Sequence, residues 1–230
     1  MASAMTFAGD SDALKAILKS KNYAEAAQML QGSLGQLTDN AEKAKAYNHL
    51  VDLAMAKVTN ETAIITENQM SAQMGSDKVK EYDALGLGDA ICNAIDNAIE
   101  CDKYDVLPDA KGKVKPAFQK KNQDRLQNVR LGLLNQGFIY ANDNDKHQQV
   151  YDCLNPYLLS ADSPLFKDIE AVKNDANKGA AAFYAGRAAL QLDNNARAAE
   201  IFKIGVQDTA KQVHDLCFDL LIYTLGKTRV

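Results

Sequence analysis

Apolar residues recur along most of this chain at intervals of three and four, and nowhere do they sustain the alternation of a half-buried strand. Tyr47, Leu50, Val51, Ala54 and Val58 share one helical face. So do Ala84, Leu87, Ile91, Ile95, Ala98 and Ile99, and further on Leu126, Val129, Leu133 and Tyr140. Alanine points the same way. Its 35 occurrences cluster at 24–27, 41–56, 180–189 and 196–199, and its small side chain favours helices and lets them approach closely. The spacing predicts an all-α protein of about eight to ten helices in antiparallel pairs. With 47% apolar residues and four prolines among 230, the composition excludes a disordered or Pro-rich chain. No apolar run approaches the ~18 residues of a membrane helix.

Caps and turns place several boundaries. Asn22 followed by Glu25 predicts a helix over about 23–36, and Ser163-Pro164 predicts a helix start with proline at its first position. Polar turns at 19–22, 142–145 and 193–195 each separate two amphipathic segments, which predicts helix pairs joined by a few residues. Segment 59–82 reads two ways: 62–74 has helical character, and Gly75-Ser76-Asp77 interrupts it. Residues 103–122, with Pro108, Pro116, Gly112 and five lysines between 111 and 121, read as one long loop.

The chain repeats itself. A shift of 49 superposes Gly137 on Gly186, Asn144-Asp145 on Asp193-Asn194 and Cys153 on Phe202. A shift of 172 places Ile17 on Ala189, Ala26 on Ala198 and Leu30 on Phe202. With Gly186, Ala198 and Phe202 at these offsets, residues 179–207 resemble a tetratricopeptide repeat, and 10–36 and 123–157 resemble weaker copies. The pattern departs from the family at Ala210, where proline is frequent, and at Ala182, where a large aromatic is. Its 49-residue offset also exceeds the ~34 of a regular array. The resemblance implies stacked helix pairs forming a degenerate superhelix.

A second likeness lies in Glu100-Cys101-Asp102-Lys103-Tyr104-Asp105, Leu107-Pro108-Asp109, residues 111–116 and Phe118. This stretch is similar to a loop of exported tetratricopeptide-like proteins of Bacteroides-type bacteria, which implies the cell envelope, a periplasmic location being the expectation and the cytoplasm the alternative. Residues 1–9, small and apolar up to Asp10, look like the tail of a secretory signal, an ordinary chain terminus being the other reading. The expected organisation is therefore this terminal stretch, then a single helical repeat domain over 10–230 with its long loop at 103–122.

Little in the sequence supports catalysis. Cys92, Cys101, Cys153 and Cys217 show no zinc-ligand spacing, and on one helix Cys92 and Cys101 would lie ~13 Å apart, too far to bridge. Free, buried thiols are expected, with Cys153–Cys217 the one pairing left open. His49, His147 and His214 lie on separate helices without a nucleophile in reach along the chain. Gly86-Leu87-Gly88 falls inside a helical pattern with no preceding strand, so it reads as a packing site rather than a dinucleotide loop. Asp143 and Asp145 begin like a calcium loop, but Gln148 and Leu154 stand where Gly and Glu are needed. No metal or cofactor is expected.

The net charge of −4 argues against a nucleic-acid partner. Lys111, Lys113, Lys115, Lys120 and Lys121 form the one basic run, read either as a solvated loop or as a patch for an acidic partner. The repeat register implies that Leu134, Phe138 and Asn142 of one unit, and Phe183, Arg187 and Gln191 of another, turn to a concave binding face. Lys178 and Arg187 do not reproduce the carboxylate clamp of chaperone-binding members of that family. The expected function is non-catalytic binding of a peptide or protein partner in the envelope. The alternatives are an enzyme on an α-superhelix acting on a glycan or peptide, and a structural assembly subunit.

Overall fold

In a computed structural model, which describes residues 10–37, 39–108 and 112–227, the chain is all-helical, with no strand among the described residues. The ten α-helices there are α1 (Asp12–Lys19), α2 (Tyr23–Ser33), α3 (Asn40–Gln73), α4 (Ala84–Asp105), α5 (Gln119–Tyr140), α6 (His147–Ala161), α7 (Glu170–Lys173), α8 (Lys178–Gln191), α9 (Asn195–Gly205) and α10 (Lys211–Lys227). The chain forms two compact units whose boundary falls inside α5: Met1–Asp124 and Arg125–Val230. The possible signal remnant at 1–9 lies outside the described residues.

In the first unit, α1 and α2 pack on the N-terminal half of α3 around Leu14, Ile17, Ala26, Leu30, Leu37, Ala46 and Leu50. Side chains cap the helices as their sequences suggest. The Asn22 side-chain oxygen Oδ1 accepts from the Glu25 N–H at 3.0 Å, and the Glu25 carboxylate in turn accepts from the Ser20 hydroxyl at 2.8 Å. A 3-10 turn at Leu34–Gln36 then ends that segment. Next, α3 and α4 pair antiparallel. The Lys57 ammonium meets the Asp83 carboxylate at 2.7 Å near one end of the pair, and the Cys101 thiol reaches the Ala44 carbonyl at 3.3 Å near the other.

Of the two readings of 59–82, the helical one holds as far as Gln73. Gly75 then takes φ 73°, a left-handed value that glycine adopts without strain, and the chain turns back. The Asn68 side chain secures the returning segment by bonding both the N–H and the carbonyl of Lys80 at 2.8 Å. Gly86 opens α4, where a Cβ would collide with the capping carboxylate of Asp83.

The expected loop at 103–122 is shorter, because α4 continues to Asp105 and α5 begins at Gln119. Asp105 joins the two: its carboxylate accepts from the N–H groups of Ala117, Phe118 and Gln119 at 2.9, 2.8 and 2.9 Å. These are donors that a helix start leaves without intrahelical partners. Ser163-Pro164 departs from expectation. The Ser163 carbonyl accepts from Phe166 and Lys167 N–H in a single turn, and helix resumes only at Glu170.

The second unit is built on helix pairs that meet through glycine. On α8 and α9, a Cβ at Gly186 would overlap the Phe202 ring, 2.7 Å from Cδ1, and one at Gly179 would overlap Asp208. These contacts keep a nearly constant sum of residue numbers, which makes the pair antiparallel. On α5 and α6, Gly137 sits against Leu154 and Cys153, while Arg130 reaches Ser160 and Tyr157. Gly137 and Gly186 therefore do the same steric job 49 residues apart. Helix α8 also packs against α6 and α10.

Candidate functional site

The side chains expected on a concave face separate into two groups. Phe138 and Phe183 are half-buried, and Asn142, Arg187 and Gln191 are exposed. The Phe138 ring meets Tyr184 edge-on at 5.6 Å, Tyr184 meets Phe183 edge-on at 5.2 Å, and the Arg187 guanidinium lies over Phe183 at 5.5 Å from the ring centre. Both geometries are favourable for aromatic rings. Asn142 donates to the Phe138 carbonyl at 3.1 Å. Beside them a depression of about 30 Å³, no larger than one water's share of the liquid, is lined by Ala141, Asp143, His147, Tyr184, Arg187 and Gln191 among others.

Leu134 does not join this surface. It is 4% exposed, because it falls on the buried arc of α5 with Leu126, Arg130, Leu133 and Gly137, spaced by three and four residues.

The basic run is dispersed. Lys120 pairs with Asp124 at 2.7 Å and Lys121 with Asp52 at 3.5 Å, while Lys113 and Lys115 are exposed. Lys111 lies outside the described residues. The turn at 143–145 is closed by the Asp143 carboxylate, which accepts from the Asp145 N–H at 3.0 Å. Among the described residues no cluster of His, Cys, Asp and Glu could hold a metal ion, and no helix is long and apolar enough to cross a membrane.

The cysteines and two of the histidines serve packing. None of the four cysteines is in a disulfide, and Cys101, Cys153 and Cys217 are buried. Burial, with a smaller push from Asp208, raises the Cys217 thiol to about 11, so it stays protonated and unreactive at neutral pH. A ring nitrogen of His49 bonds the Ser20 carbonyl at 3.0 Å, and one of His214 bonds the Val206 carbonyl at 2.7 Å.

Arg130 is the residue that periodicity alone passes over. It is 2% exposed on the inward arc of α5, where an aliphatic side chain would be expected. Its Nε donates to the Ser160 hydroxyl at 2.8 Å and its Nη2 to the Tyr157 carbonyl at 2.9 Å. The guanidinium carbon lies 4.7 Å from the Tyr157 ring centre and 5.6 Å from that of Phe166. The Tyr157 hydroxyl donates to the Asp175 carboxylate, whose other oxygen accepts from the Asn177 N–H at 2.9 Å.

Burial lowers the Arg130 pKa, while Tyr157 and the charge of Asp175 oppose it. Tyr157 is pushed up, first by burial and then by its bond to Asp175, so it remains a neutral donor. Arg130 and Tyr157 line a cleft of about 220 Å³ with Gln127, Asn128, Leu131, Val172, Asn174 and Asp175 among its walls. The signal in the sequence is a cation four residues after Leu126 and four before Leu134, on an otherwise apolar stripe.

No protein-family model, no curated protein and no solved structure matches this chain.

Proposed function

We propose that this chain is a non-catalytic scaffold of the cell envelope that binds a peptide or protein partner through tetratricopeptide-like helix pairs. The observation that carries this reading is the cluster of Phe138, Phe183, Tyr184 and Arg187, with Asn142 and Gln191 exposed beside it. Rigid aromatics with an arginine laid over them form the kind of surface on which binding energy concentrates. The equivalent placement of Gly137 and Gly186 supports a repeated helix pair, and the stacking of such pairs into a superhelix is part of the proposal. The envelope location rests on the likeness of residues 100–118 to exported proteins.

Arg187→Ala combined with Gln191→Ala tests it, because both side chains are exposed and their loss should cost the fold little beyond the contact of Arg187 with Phe183. Retention of the native partner from an extract of the source cell should fall by tenfold or more, the effect of losing a hot spot of about 2 kcal/mol. The melting temperature should stay within a few degrees of the parent. Unchanged retention would remove these residues from the partner site.

A further inference from the structure

Arg130 is a cation held almost entirely out of water with more donors than the protein uses. Of the five N–H groups of a guanidinium, one on Nε and one on Nη2 are taken by Ser160 and Tyr157. Among the described residues no acceptor bonds Nη1, and no carboxylate comes within ion-pair distance. The nearest acid on the network, Asp175, is reached only through the Tyr157 hydroxyl. Among the described residues no Arg130 nitrogen is both sealed from solvent and without a partner, so the unbonded Nη1 is accessible, and Arg130 lines a cleft of about 220 Å³ where a bound anion can supply the acceptors. That is several times the ~30 Å³ that one water occupies in the liquid.

We infer that the Arg130 cleft is a binding site for a small organic monocarboxylate. A carboxylate is planar and matches the unused donors of a guanidinium with two parallel bonds. The walls suit the rest of such a molecule: Leu131 and Val172 offer apolar surface, and Asn128 and Asn174 offer amides at the rim. Asp175 sets the charge. One carboxylate beside Arg130 and Asp175 gives a group of three charges with a net of one negative, whereas a phosphate dianion would add a second negative charge beside that of Asp175. The site is independent of the surface around Arg187.

Titration of the purified protein with butyrate, butyramide and inorganic phosphate tests this by calorimetry and by the Arg130 Nε–H resonance in an amide correlation spectrum. Butyrate should bind saturably with a Kd on the order of 1 mM and move that resonance. Butyramide, which has the same shape without the charge, should do neither, and phosphate should bind at least several-fold more weakly.

Arg130→Lys keeps the charge and loses the fork, so it should weaken butyrate about tenfold. Asn128→Asp serves if that variant does not fold. It changes an exposed residue of the wall, so it should leave the melting temperature unchanged and weaken butyrate by a similar factor. Absence of saturable binding by butyrate, equal binding of butyramide, phosphate binding as tightly as butyrate, or unchanged butyrate affinity in a folded Arg130→Lys or Asn128→Asp protein would each overturn the assignment.

Discussion

At Gly186 a single missing carbon sets the distance between two helices. A Cβ there would overlap a Phe202 ring that is wholly buried and has no room to withdraw. Gly186→Ala should therefore destabilise the protein by roughly 1–3 kcal/mol, the usual cost of overpacking. Gly32, also helical, has nothing within 4 Å of the equivalent point. Gly32→Ala should be neutral or stabilising by up to ~1 kcal/mol, since alanine is the better helix former. Thermal melts of the two variants check the contrast, which separates packing from propensity. The equivalence of Gly186 and Gly137 was legible in the sequence as a 49-residue echo. The burial of Leu134 was not. Spacing of three and four tells which side chains share a face, but Leu134 belongs to two overlapping faces, one with Phe138 and one with Arg130 and Gly137, and tertiary packing alone selects between them.

At the level of helices, the caps carried most of the readable information. Asn22 and Glu25 begin α2 as their spacing predicts, because an N-cap is satisfied by residues three apart in sequence. The join between α4 and α5 was not readable in this way. Asp105 caps a helix that starts fourteen residues later, a long-range bond that no local pattern encodes. Asp105→Ala should strand those N–H groups and cost roughly 1–3 kcal/mol. Hydrogen exchange should show faster exchange at Phe118 and Gln119 than in the parent protein. If exchange there is unchanged, the carboxylate is not what holds the start of α5. Ser163-Pro164 shows the converse, a sound local start signal that yields one turn before the chain bends toward α7.

For the molecule as a whole, the all-helical class followed from periodicity and alanine content, since both report local preference summed over long windows. Which helix surfaces stay open is decided by neighbours far along the chain. Phe138, from α5, and Phe183 and Tyr184, from α8, become one patch only when those helices are brought together. The proposed partner surface is the central functional claim, and site-specific photocrosslinking tests it most directly. A photoreactive residue placed singly at Asn142, Arg187 or Gln191 should give the same crosslinked partner in the source cell. Placement at the exposed positions Lys203 or Glu170, which lie outside the patch, should give none. Crosslinks of equal yield at Lys203 and Glu170, or none at the three patch positions while a partner still co-purifies, would contradict it.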